Sequence, residues 1–77
     1  MNEARLRYLL RRGMKELDVL FNRYYEHRYP HAPAEERAAF AALADGPQEP
    51  DIWAWALGHT PPPQEFAAVI AQFQHYR

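Results

Sequence analysis

The chain has 77 residues, 25% of them charged and 48% hydrophobic, with a net charge of −1 and no cysteine. That length gives one domain, residues 1–77, with a small core. It leaves no disulfide framework and no thiolate metal site, as expected of a reducing cytoplasm. The apolar runs are only a few residues long, too short to span a bilayer, and residues 1–12 lack the apolar stretch of a signal peptide. The charge is uneven. Residues 1–28 hold seven Arg or Lys against four Asp or Glu, a net of +3; residues 29–77 hold two against six, a net of −4. A basic first third on a near-neutral chain points to an acidic partner surface. Nucleic acid, bound through Arg5, Arg7, Arg11, Arg12 and Lys15, is a weaker reading, because the domain as a whole is not basic.

The seven prolines stand at segment boundaries, and no stretch alternates as a strand would. The first predicted helix runs over about Asn2 to Arg11, with Leu6, Leu9 and Leu10 on one side and Asn2 as its cap. The second, about Met14 to His27, carries Leu17, Leu20, Phe21, Tyr24 and Tyr25 at i, i+3, i+4, i+7 and i+8. One bent helix through Gly13 is the rival reading; a break within a residue of Gly13 is preferred. Tyr29 to Pro33 is a turn, with Pro33 expected in the first turn of a third helix that runs to about Ala44. Its core face is Ala39, Phe40 and Leu43, and Glu35 and Glu36 lie near its positive end. A short fourth helix, about Glu49 to Leu57, places Trp55 with Ile52 in the core and leaves Trp53 on another side, where it can be partly exposed. Gly58 reads as its terminator at positive φ. After three prolines, the fifth helix spans about Pro63 to Tyr76, with Phe66, Val69, Ile70, Phe73 and Tyr76 or Arg77 as its stripe. The expected fold is an all-α, compact, single-domain bundle of five short helices.

Little in the chain suits catalysis. It has no serine or cysteine, and its lone threonine, Thr60, stands beside prolines, so no nucleophile with a base in reach is expected. The carboxylate pairs Glu16 with Asp18 and Glu35 with Glu36 are spaced so that they point to different parts of a helix. His27 and His31 are four apart but separated by Pro30, which leaves no metal-ligand spacing. No glycine-rich fingerprint follows a strand, so no stably bound dinucleotide is expected.

The segment Arg11-Arg12-Gly13-Met14-Lys15-Glu16-Leu17-Asp18 stands out. A glycine inside a helix costs about 1 kcal/mol relative to alanine, and is worth that where the chain turns or another backbone comes close. Arg12 and Glu16 flank it. Read as structure alone, Arg12 pairs with Glu16 at i, i+4, worth only about 0.3–0.5 kcal/mol. Read as a surface, the three residues form a contact site. Here the chain resembles a known family. Arg12-Gly13-x-x-Glu16, Tyr25-Glu26-His27-x-Tyr29, Phe40-x-x-Leu43, Pro50-Asp51-Ile52-x-x-Trp55 and Gly58-His59 occur in the order and spacing of the small flavinylation assembly factors of succinate dehydrogenase. The bacterial members are called SdhE, and some carry the antitoxin name CptB. The likeness runs from about Arg5 to Gln74.

The resemblance implies a non-enzymatic, chaperone-like FAD assembly factor. It would bind the flavoprotein subunit of succinate dehydrogenase or fumarate reductase and promote covalent attachment of FAD to that partner. The contact residues would be Arg12, Gly13 and Glu16, with Arg11, Lys15 and Asp18 at the rim, and the factor would act as a monomer. Gly13→Arg is expected to leave the fold largely intact and to abolish partner flavinylation. An antitoxin-like regulatory module using the same face is the alternative. Where relatives often cap the third helix with Ser-x-x-Glu, this chain has Ala32-Pro33-Ala34-Glu35, so the cap hydrogen bond is expected to be missing.

Overall fold

In a computed structural model, which describes residues 2–76, five α-helices follow one another: α1 (Glu3–Leu9), α2 (Lys15–His27), α3 (Ala34–Asp45), α4 (Glu49–Leu57) and α5 (Ala67–Tyr76). Short 3-10 turns, Tyr29–His31 and Gln64–Phe66, precede α3 and α5. No strand occurs among the described residues. The expected five-helix bundle is the fold observed.

Local chemistry sets the helix ends. Asn2 caps α1, its Oδ1 accepting the Arg5 amide at 2.8 Å. The helix stops at Leu9, two residues earlier than expected, and α2 begins at Lys15 after Met14 in extended geometry. Two helices meet here, rather than one bent helix. Pro33 stands before α3 as its cap residue, not in its first turn: its ψ of 155° is extended and cannot continue into a helical turn. As expected, no side chain caps this end. The fifth helix also starts later than the sequence pattern implies. Pro63 is extended, and the Phe66 amide reaches back three residues to its carbonyl at 3.0 Å, which tightens the first turn into a 3-10 form. Arg77, one of the two proposed ends of the α5 stripe, lies outside the described residues.

Gly58 ends α4 with φ +80°, as its position implied. The His59 amide donates to the Ala54 carbonyl and the Gly58 amide to that of Trp55, which together close the helix end. A side chain at Gly58 meets open space, so substitution is resisted by backbone strain alone. Gly58→Ala is expected to cost about 1 kcal/mol. In a domain of this size that lowers the melting temperature by roughly 4–8 °C, measurable by circular dichroism; an unchanged melt would contradict the left-handed end.

The apolar stripes converge on one core. α5 packs against α2, α3 and α4, and α1 lies on α3. Phe21, Tyr24, Phe40 and Phe73 are fully buried and form an aromatic centre, with ring centroids 4.4 Å apart for Tyr24 and Phe40 and 5.0 Å for Phe21 and Phe73. Tilted and edge-on pairs of this kind add to the burial energy. Trp55, expected in the core, is half-buried and stacks on Phe66 at the core's edge; Trp53 is half-buried too. The radius of gyration, 11.1 Å, matches the value of about 11.5 Å for a compact domain of this length.

One buried polar group sits inside this frame. Glu36 is buried and accepts from the Tyr24 hydroxyl at 2.6 Å and from Arg28 through a two-point fork at 2.9 and 3.0 Å. The Arg28 fork holds the Glu36 carboxyl below the usual carboxylate range, helped by the Tyr24 hydroxyl and opposed by burial. Burial first, and then Glu36, pushes the Tyr24 phenol well above its usual range. The triad joins the C-terminal half of α2 to the first turn of α3. Sequence reading missed it, taking Tyr24 as part of an apolar stripe and Glu36 as a helix-end charge.

Candidate functional site

The link between α1 and α2, Leu10 to Met14, is fixed from beneath. Arg12 turns inward, and its side chain is only 10% exposed. One of its terminal nitrogens, Nη1, donates to the carbonyls of Leu9 at 2.9 Å and Ala44 at 2.7 Å, at the C-terminal ends of α1 and α3. Those carbonyls carry the negative ends of the helix dipoles and have no partner within their own helices, so a cation suits them. Its Nε donates to Glu49 Oε2 at 3.2 Å, at the start of α4, where a carboxylate is favoured in turn. Its guanidinium carbon lies 4.7 Å from the centre of the Phe21 ring of α2. A single side chain thus ties together four helices.

The rest of the link is held by α2. Asp18 Oδ1 accepts the Arg12 amide at 3.2 Å, and Asn22 Nδ2 donates to the carbonyls of Asp18 and Leu10. The Tyr25 hydroxyl donates to Glu3, which joins α2 to α1 again.

Above this clamp the chain faces outward. Arg11, Gly13, Lys15 and Glu16 are exposed, and Met14 is half-buried. Glu16 makes no ion pair or hydrogen bond through its side chain among the described residues. The local pairing of Arg12 with Glu16 does not form: Arg12 bonds Glu49 instead, because the carbonyls and the carboxylate below the loop offer it more partners than solvent does. Asp18, expected at the rim, is half-buried and bonded to the loop's own backbone. The six residues singled out in the sequence are therefore brought together, but in two layers. Arg12 and Asp18 form the support, and Arg11, Gly13, Lys15 and Glu16 form the surface.

Gly13 has no backbone conformation that demands glycine, since Gly58 alone among the described glycines has positive φ. What constrains it is space. A Cβ at position 13 would lie 3.2 Å from Glu49 Oε1, so Glu49 would have to shift. Glu49 is the residue that sequence reasoning missed. It is 37 residues from Arg12, and no local pattern couples them.

Elsewhere, no cluster of three or more His, Asp or Glu is placed to hold a metal ion among the described residues. No described helix is long and apolar enough to cross a membrane.

These features define a small all-α protein whose distinctive surface is a polar interhelical loop held from below by Arg12, Asp18 and Asn22. The chain belongs to the family described as the flavinator of succinate dehydrogenase, whose family model matches residues 4–77. Among its relatives is the FAD assembly factor SdhE of Acinetobacter baylyi, 39% identical over 77 residues, which cover 99% of this chain and 89% of the relative. The FAD assembly factor SdhE of Coxiella burnetii is 39% identical over 79 residues, covering 96% and 95% of the two chains. That of Shewanella oneidensis is 38% identical over 73 residues, covering 94% and 88%. No solved structure matches the chain at a significant level.

Proposed function

We propose that the protein is an FAD assembly factor that binds the flavoprotein subunit of succinate dehydrogenase, or the similar subunit of fumarate reductase, and promotes covalent attachment of FAD to it. The observation that carries this reading is the outward face of Gly13 and Glu16 on a loop locked by Arg12, within a chain that belongs to the flavinator family along nearly its whole length. A surface that is already ordered loses little conformational freedom on binding.

FAD is, in this reading, held by the partner. The bond-forming chemistry belongs to the flavoprotein and its flavin. The small protein acts by binding the arrangement of the flavoprotein that is competent for attachment better than other arrangements, since differential affinity is what shifts such an equilibrium.

Glu16→Arg tests the surface cleanly. Glu16 is exposed, but it stands in the first turn of α2, where a carboxylate is favoured, so the variant should cost about 1 kcal/mol. It should nonetheless lower covalent flavin incorporation into the partner about tenfold or more, read as in-gel flavin fluorescence. Gly13→Arg should also abolish incorporation. It must be read beside its melt, because a Cβ at position 13 presses on the Glu49 side chain that pairs with Arg12. Normal flavin incorporation with both variants would overturn the assignment of the surface.

A further inference from the structure

α2 and α4 both pack on α5 but make few contacts with each other. Between them runs a groove of about 230 Å³, lined by Glu16, Val19, Leu20, Arg23 and Trp53. Its floor and walls are apolar: Leu20 is buried, Trp53 half-buried and Val19 38% exposed, one of two large hydrophobic residues this exposed among those described. The α2 residues fall at i, i+3, i+4 and i+7, so one stripe of the helix forms one side. Glu16 stands at one end without a partner among the described residues. Arg23 stands at the other, one of its nitrogens held by the Tyr76 carbonyl at 3.0 Å.

The groove is continuous with the proposed docking surface, because Glu16 belongs to both. A partner that lies over Gly13 and Glu16 reaches Val19, one helical turn further along α2, without leaving the surface. We infer that this groove receives an apolar side chain of the flavoprotein partner, with a basic group beside it that pairs with Glu16. The inference rests on the docking reading above and adds to it the anchor and its chemistry. Interfaces are commonly held by such a side chain in an apolar pocket with charges at its edge. A cation is the complement that the unpaired Glu16 carboxylate calls for.

The test uses the full chain labelled with 5-fluorotryptophan, so that Trp53 and Trp55 each report by fluorine NMR, and the purified flavoprotein subunit loaded with FAD. On addition of the subunit, the Trp53 resonance should shift and that of Trp55, on the α5 side beside Phe66, should stay. Val19→Asp, at an exposed position, should keep the melt of the parent and weaken binding by about tenfold or more, because it sets a carboxylate against an apolar side chain. Val19→Leu should bind like the parent. If Glu16→Arg abolishes binding while Val19→Asp binds normally and Trp53 does not shift, the groove proposal falls and the docking surface stands. If the parent itself fails to bind the subunit, both fall. If Trp53 shifts with concentration in the protein alone, the occupant is a second copy of the chain, and the proposal is overturned. If Val19→Asp fails to fold, the Trp53 resonance of the parent decides the matter.

Discussion

Arg12→Ala is expected to destabilise the domain by about 2–4 kcal/mol, although its side chain belongs to the segment proposed to meet a partner. The variant removes three charge-assisted hydrogen bonds and the contact with Phe21, and leaves the last carbonyls of two helices without their cation. A core in a domain of this length supplies only about 3–5 kcal/mol, so the loss is a large share of the total. The melting temperature should fall by roughly 10–25 °C. Loss of an exposed arginine used only for docking, or paired with Glu16, would change the stability by about 0.5 kcal/mol or less. The two accounts therefore differ several-fold in a thermal melt. Arg12→Lys should fall between, since it keeps the charge but lacks the planar fork that addresses Glu49 through Nε and the two carbonyls through Nη1. A melt for Arg12→Ala that matches the parent would contradict the clamp. Loss of flavinylation in Arg12→Ala does not by itself mark a contact, because the support of the surface is lost with it.

The second large effect is expected at Glu36. Glu36→Ala removes the carboxylate that Tyr24 and Arg28 share and leaves the buried Tyr24 hydroxyl without an acceptor. A cost of about 2–3 kcal/mol follows, toward the low end for a buried pair because Arg28 keeps contact with water. Glu36→Gln keeps the volume and one acceptor, and should cost less. The pH dependence has a definite sign. The folded Glu36 carboxyl is held below its usual range, so its contribution is present above the ordinary glutamate pKa of about 4.3 and is lost as the pH falls through the lower folded value. The melting temperature of the parent should therefore drop on acidification below about pH 4. The gap between the parent and Glu36→Gln should be widest near neutrality and close in acid. A gap that stays constant from pH 7 to pH 3 would contradict the assigned role of the Arg28 fork.

Much of this architecture is legible in the sequence, because it is set by short-range rules. The α4 boundaries, the Asn2 cap and the left-handed Gly58 follow from residues a few positions apart. So does the stripe of Leu17, Leu20, Phe21, Tyr24 and Tyr25, of which the first four are buried and Tyr25 is half-buried. The errors have a common cause in tertiary context. Arg12 is expected, with Gly13 and Glu16, on the contact surface. It faces inward because Glu49 and the Ala44 carbonyl, more than thirty residues away, converge beneath it. Glu36 is buried because Tyr24 and Arg28 arrive from another helix. Trp55 is only half-buried because α4 lies at the edge of the core, where Phe66 covers one face of its ring. For the candidate surface, the sequence marks the segment, and the structure separates its residues into those that support the loop and those that face outward.

Amide hydrogen exchange of the chain, alone and with the FAD-loaded flavoprotein subunit, tests the central claim most directly. The account predicts slowed exchange over residues 11–16 and the first turns of α2, with α3 and the far end of α5 little changed. Protection confined to another face, with residues 11–16 exchanging as in the free protein, would contradict it.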